Sequence, residues 1–299
     1  MPDLALTDGG IETSLIFHQG LDLPCFASFP LLATDEGRAA LRRYFEPFLR
    51  LSEEAGLPFV IDTATWRANP DWGERVGYTR EALAQANRDA VVFASELAAG
   101  RPDVTVNGIL GPRGDGYVVG ERMTAEEAQE YHAWQVGVLA EAGAERITIL
   151  TVTYPEEAIG VVRAAAAAGL PVVVAFTVET DGQLPSGKSL ADAIGDVDRQ
   201  TDAAAAFYMV NCAHPSHFAA VLEDGEPWLR RVGGLRVNAS ALSHAELDEA
   251  ETLDEGDPRE LADRHRELRE RLPAIELLGG CCGTDHRHVK AIAEAWTER

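Results

Sequence analysis

Three cysteines stand where an apolar run meets a turn. Cys281 and Cys282 are adjacent, within Leu277-Leu278-Gly279-Gly280-Cys281-Cys282-Gly283-Thr284, and Cys212 closes the run Ala206-Phe207-Tyr208-Met209-Val210-Asn211. Thiolate sulfur is a soft ligand suited to zinc. Three protein ligands leave one tetrahedral position open, as a catalytic rather than a structural zinc site requires. Such an ion would hold a substrate thiol as thiolate, the nucleophilic form of that sulfur. Neighbouring residues of a regular strand face opposite ways, so Cys281 and Cys282 can share an ion only where the backbone bends; Gly279, Gly280 and Gly283 permit that bend. Spacing alone leaves two alternatives open, buried structural thiols and a strained vicinal disulfide. His214 and His217 follow Cys212, and His286 and His288 follow Cys282. All four are expected on the first turns of exposed helices, because the cysteines already suffice for an open site; His214 or His217 is the alternative ligand if one cysteine is spared. Cys25, in Leu23-Pro24-Cys25-Phe26, reads as an ordinary buried thiol.

Bringing Cys212 to the adjacent pair needs two strands that end at one mouth. Strand-like runs alternate with helix-like runs along the whole chain. Strands are expected at 4–7, 59–63, 104–110, 146–150, 171–177, 206–211, 234–238 and 274–278. Helices are expected at 36–55, 79–99, 124–142, 155–168, 189–205, 216–222, 247–272 (interrupted near Pro258) and 286–296. Thr124-Ala125-Glu126-Glu127 has the pattern of a capping box. Eight such alternations predict a single α/β domain over 1–299, a (β/α)8 TIM barrel, with a doubly wound open sheet as its rival. The first strand is not followed by Gly-x-Gly-x-x-Gly, which weakens a dinucleotide-binding reading.

The 299 residues carry 46% hydrophobic and 25% charged side chains, ordinary for a soluble globular protein. The formal net charge of −23 disfavours nucleic acid and anionic membranes as partners. The start, Met1-Pro2-Asp3-Leu4, has no leader pattern and no apolar run reaches spanning length, so a cytoplasmic location with reduced thiols is expected.

Gly279-Gly280-Cys281-Cys282-Gly283-Thr284 resembles the terminal motif of the homocysteine S-methyltransferase family. Val210-Asn211-Cys212-Ala213-His214-Pro215 resembles the motif of its first zinc cysteine, and Asp8-Gly9-Gly10 its N-terminal motif. Thr63-Ala64-Thr65-Trp66-Arg67-Ala68 is similar to its strand-two motif, and Glu141-Ala142-Gly143-Ala144 to the stretch before strand four. The resemblance implies an S-methyltransferase acting on a small thiol, homocysteine giving methionine. It implies Cys212, Cys281 and Cys282 as zinc ligands, and Asp8, Gly9 and Thr63 or Thr65 at the acceptor. Asn211 or Tyr154 is expected to supply an oxygen to the resting metal. A sulfonium or ammonium donor is attracted to aromatic faces, for which Trp66, Tyr117, Tyr154 and Phe29 are candidates. Residues 111–117 are glycine-rich enough for a mobile loop, and Arg113 or Arg67 is placed to hold a substrate carboxylate. The family's glutamate after strand four is missing from Ile149-Leu150-Thr151-Val152-Thr153-Tyr154-Pro155, and Ser14 stands where the family often has another. Either Glu12 or Glu179 holds an acceptor amine, or the acceptor is a different thiol or a selenol. A catalytically silent zinc- or thiol-binding barrel is the remaining reading.

Overall fold

The strands are short and almost continuously apolar, as strands covered on both faces must be. Val172–Phe176 and Phe207–Asn211 are buried throughout. The computed structural model describes residues 4–223 and 225–298. The Met1-Pro2-Asp3 start, on which the expectation of no leader rests, lies outside them. Eight parallel strands close in sequence order: β1 Ala5–Leu6, β2 Phe59–Asp62, β3 Val104–Leu110, β4 Arg146–Val152, β5 Val172–Phe176, β6 Phe207–Asn211, β7 Val232–Val237 and β8 Leu277–Gly280. Leu6 pairs with both Phe59 and Leu278, which closes the ring and excludes the open sheet.

Each strand is followed by a helix: α1 Asp35–Ala55, α2 Arg80–Ala98, α3 Ala125–Ala142, α4 Pro155–Ala167, α5 Leu190–Thr201, α6 Pro215–Phe218, α7 Pro258–Arg269 and α8 His286–Thr297. The helix ends follow local chemistry. Thr34 caps α1 by accepting from Gly37 N, and Gly56 ends it in the left-handed conformation. Thr124 and Glu127 form the expected capping box of α3. Apolar helix faces pack on the outside of the sheet, while Val60, Val173, Ala175, Phe207, Met209 and Leu277 fill the inside of the barrel. No helix among the described residues is long and apolar enough to cross a membrane.

Two elements depart furthest from expectation in what they do at the site. Strand eight begins at Leu277 rather than 274 and runs through Gly279 and Gly280. These glycines therefore serve close approach, not the bend: a side chain at Gly280 would collide with Thr284, and one at Gly279 with Thr7 and Asp8. The expected helix over 247–272 is helical only at 258–269, with a short helix at His244–Asp248 before it. Asp257 accepts from Arg259 N and Pro258 takes the first helical position, so the proline starts a helix instead of interrupting one.

Candidate metal centre and its two cavities

All strand C-termini open on one mouth, where barrel enzymes build their sites. Cys212 follows β6 with φ of 53°, a left-handed value that non-glycine residues rarely take. Its N–H donates to Arg236 O at 2.9 Å. Cys281 follows β8, its N–H donates to Val237 O at 2.7 Å, and Gly283 at φ of 77° turns the chain behind Cys282. The expected bend thus lies at Gly283, after both cysteines.

The three sulfurs converge. Cys212 Sγ is 2.8 Å from Cys281 Sγ and 3.6 Å from Cys282 Sγ, and all three lie within 4.8 Å of one another. Zinc–sulfur bonds of about 2.3 Å place tetrahedral sulfurs ~3.8 Å apart. The Cys212–Cys282 separation already matches, and the Cys212–Cys281 one needs about 1 Å of opening. All four cysteines are free, which removes the vicinal disulfide. Hydrogen bonds with Cys212 and Cys282 hold the Cys281 thiol well below its ordinary range, whereas burial pushes Cys212 up. Cys25 is exposed, contrary to expectation, on a loop where its φ is 57°.

An oxygen does approach the sulfurs, but from another residue than expected. Tyr117 Oη stands 3.0 Å from Cys212 Sγ and 4.0 Å from Cys282 Sγ. Burial raises this phenol well above its ordinary range. Tyr154 Oη is engaged elsewhere, accepting from Met123 N at 3.2 Å. Asn211 Oδ1 accepts from Thr151 N at 2.9 Å, and its buried Nδ2 has no partner. His214, His217 and His288 are buried, not exposed as expected; only His286 is exposed. His214 Nδ1 caps α6 on Ser216, His217 meets Ala241 O at 2.9 Å, and His288 meets Glu255 O at 2.8 Å.

An inner cavity reaches into the barrel mouth, lined by Asp8, Gly9, Glu12, Asp62, Thr63, Thr65, Leu150, Thr151, Asn211, Arg236, Cys281 and Cys282. Arg236 dominates its floor. The guanidinium donates to Asp8, Asp62, Gly9 O and Gly280 O, and Tyr44 Oη donates to Asp8 at 3.1 Å. Burial, only partly offset by a guanidinium shared with Asp62, raises Asp8 to about 7. The hydroxyls of Thr63 and Thr65 are 2.7 Å apart and bond the Ile109 backbone, so both serve β3 as well as the cavity wall. Glu12 borders the cavity, accepts from Ser28 Oγ at 2.8 Å and is raised to about 7 by burial. Glu179 lies outside it, 3.5 Å from His244 Nδ1.

An outer cavity of about 380 Å³ lies on the other side of the sulfurs. Phe26, Trp66, Arg67, Asp115, Tyr117, His244, Asp248, Asp254, Cys212 and Cys282 border it. Arg67 lies between the rings of Trp66 and Trp72, at 3.8 and 3.7 Å, and its buried Nε has no partner. Burial lowers it to about 10. Arg113 instead pairs with Asp71 at 2.9 Å, and Phe29 packs on Tyr78 away from the mouth. Sequence reasoning missed Arg236, Asp62, Tyr44 and His244. A signal existed for the first two: a charge inside the apolar runs Gly234-Leu235-Arg236-Val237 and Phe59-Val60-Ile61-Asp62 demands a buried partner.

A closed (β/α)8 barrel with three free thiols converging between two cavities is the framework of a thiol-directed S-methyltransferase. The chain belongs to the homocysteine S-methyltransferase family, whose model matches residues 5–296. It is 27% identical to homocysteine S-methyltransferase 4 of Zea mays, over 98% of this chain and 90% of that protein. The metallated form of the homocysteine methyltransferase MmuM from Escherichia coli superposes with a TM-score of 0.74 at 19% identity, covering 97% of this chain and 96% of that one. Its oxidised form gives 0.74 at 20% identity, over 97% and 95%.

Proposed function

We propose that this S-methyltransferase, a single domain over 1–299, moves a methyl group from a cationic donor to a small thiol, with homocysteine as the leading acceptor and methionine as its product. Cys212, Cys281 and Cys282 would hold one zinc ion. The observation that carries the reading is the approach of these three sulfurs to one another between the two cavities. Zinc, when bound there, keeps a fourth sulfur deprotonated at neutral pH.

The chain's own residues do the rest. In the inner cavity, the unpartnered Nδ2 of Asn211 is a donor for an acceptor carboxylate, and Glu12 is the carboxylate left for an amine, since Arg236 occupies Asp8 and Asp62. Gly9, Thr63 and Thr65 shape the wall. In the outer cavity, Phe26, Trp66 and Tyr117 offer rings to a sulfonium or ammonium centre, and Arg67 faces a donor carboxylate. The acceptor sulfur forms the new S–CH3 bond as the donor's C–S or C–N bond breaks. The bonding pair leaves with the donor, now a neutral sulfide or amine. The Tyr117 hydroxyl, 3.0 Å from Cys212 Sγ, would lie beside an acceptor sulfur bound at this centre and could donate a hydrogen bond to it.

A second reading rests on strand four. Leu150 and Thr151 border the inner cavity where the family's glutamate is missing, which favours a thiol or selenol lacking the homocysteine amine. A cytoplasmic setting, with reduced thiols, suits either.

Metal analysis of reduced protein should find about one zinc per chain, lost in Cys212→Ser and in Cys281→Ser. Full zinc in both variants would overturn the ligand set. Methionine formed from homocysteine with S-methylmethionine, S-adenosylmethionine or betaine identifies the donor. Turnover only with a des-amino thiol would establish the second reading.

A further inference from the structure

The backbone carbonyl of Cys212 receives three side chains. His244 Nε2 lies 2.6 Å from it, Asn238 Nδ2 3.1 Å and Thr177 Oγ1 3.4 Å. A carbonyl has two lone pairs, so three donors exceed what satisfying it requires. They also come from separate places: Thr177 follows β5, Asn238 follows β7, and His244 opens the short helix His244–Asp248. Cys212 is left-handed at φ of 53°, and such a conformation persists in a non-glycine residue only where its surroundings over-determine it.

His244 differs from the other two donors because it belongs to the roof of the outer cavity, with Leu247, Asp248, Ala250 and Leu253. Its ring packs on Tyr117, with centroids 4.6 Å apart at 42°, and the Tyr117 hydroxyl lies 3.0 Å from Cys212 Sγ. The carbonyl is an acceptor only, so Nε2 donates to it, and Nδ1 lies 3.5 Å from Glu179. One imidazole thus touches a cysteine backbone, a roof tyrosine and a carboxylate.

We infer that His244 is a positioning residue that fixes Cys212 in its left-handed conformation and couples the roof of the outer cavity to the three-cysteine centre. The inference rests on those cysteines holding a metal. Without the Nε2 donor, the shortest of the three, only Asn238 at 3.1 Å and Thr177 at 3.4 Å restrain the carbonyl, so the Cys212 backbone is held less firmly in its left-handed conformation and its sulfur less firmly beside Cys281 and Cys282.

The test compares His244→Phe, which keeps a ring against Tyr117 and loses the donor, with His244→Gln, whose amide reaches the carbonyl. Zinc affinity is measured by competition with a chromophoric chelator, and the thiolate-to-metal absorption is recorded after loading with cobalt(II). His244→Phe should bind zinc about 10–100-fold more weakly, and His244→Gln should recover most of that loss. The KM for the donor should rise in His244→Phe while that for the acceptor stays in place. Equal zinc affinity in parent and His244→Phe overturns the inference and leaves the metal reading standing. A parent that takes up no zinc overturns both. Should His244→Phe fail to fold, His244→Asn, whose amide stops short of the carbonyl, replaces it; equal affinity in the Asn and Gln variants is then the overturning result.

Discussion

Arg236 on β7 donates to Asp8 at the end of β1, reaching across β8, which lies between those strands. The same cation holds Asp62 of β2 and the Gly280 carbonyl of β8, the latter at 3.1 Å. One buried guanidinium therefore ties four strands beneath the cysteines. Removing one member of a buried ion pair leaves uncompensated charge. Arg236→Met should cost about 3–5 kcal/mol of unfolding free energy. Adding Asp8→Asn and Asp62→Asn to it should recover part of that loss. Urea unfolding of the metal-free proteins checks both; an Arg236→Met variant as stable as the parent refutes the clamp.

Glu12 makes a pH-dependent contribution with a definite sign. Its carboxyl titrates at about 7 in the fold because it is buried. In the unfolded chain it titrates at about 4.3. Between these values the folded state keeps a proton that the unfolded state has lost. The contribution is full below about pH 4 and is lost as pH rises toward 7. Glu12→Gln is fixed in the neutral form, so its stability relative to the parent should grow over that window, by roughly 1–3 kcal/mol, and stay level above pH 8. Denaturation of metal-free protein at several pH values would show a constant difference if Glu12 were not the titrating group.

Tyr117 touches two cysteine sulfurs, yet three sulfurs remain without it. Tyr117→Phe should keep about one zinc per chain, with affinity within about tenfold of the parent. Loss of the metal in this variant, read by chelator competition, would make the phenol an obligatory ligand.

Arg67 is held between two indole rings and leaves a buried N–H open beside the outer cavity. Arg67→Met should raise the KM for a carboxylate-bearing donor about tenfold or more, and leave the KM for the acceptor alone. Arg67→Lys should not restore it, because a point charge neither stacks nor forks. Steady-state kinetics with each substrate varied in turn decides this.

Cys25 is exposed and apart from the three converging thiols. Cys25→Ser should retain zinc and full turnover, whereas Cys282→Ser should lose both. Zinc content and initial rates of the two variants make the comparison.

Much of this was legible in residue order. Alternating apolar runs and helical faces are local patterns, so the eight strands were placed to within a few residues, as at Val104–Leu110. The ends moved where long-range pairing outweighed local composition. β8 extends to Gly280 because it pairs with β7 through Val237 and Gly280, although glycine is a poor strand former by itself. His217 and His288 looked exposed because polar residues at helix starts usually are; here helix packing buries them and backbone carbonyls satisfy them.

By itself the sequence determined the barrel, the three cysteines and the family, because each is written in short apolar periods or in contiguous motifs. Tertiary structure alone decided what surrounds the sulfurs. Tyr117, Arg236 and His244 lie 95, 24 and 32 residues from Cys212, or on a different strand end, and only barrel closure brings them to it. Side chains distant along the chain acquire a shared site through the closing of the sheet, which no local period records.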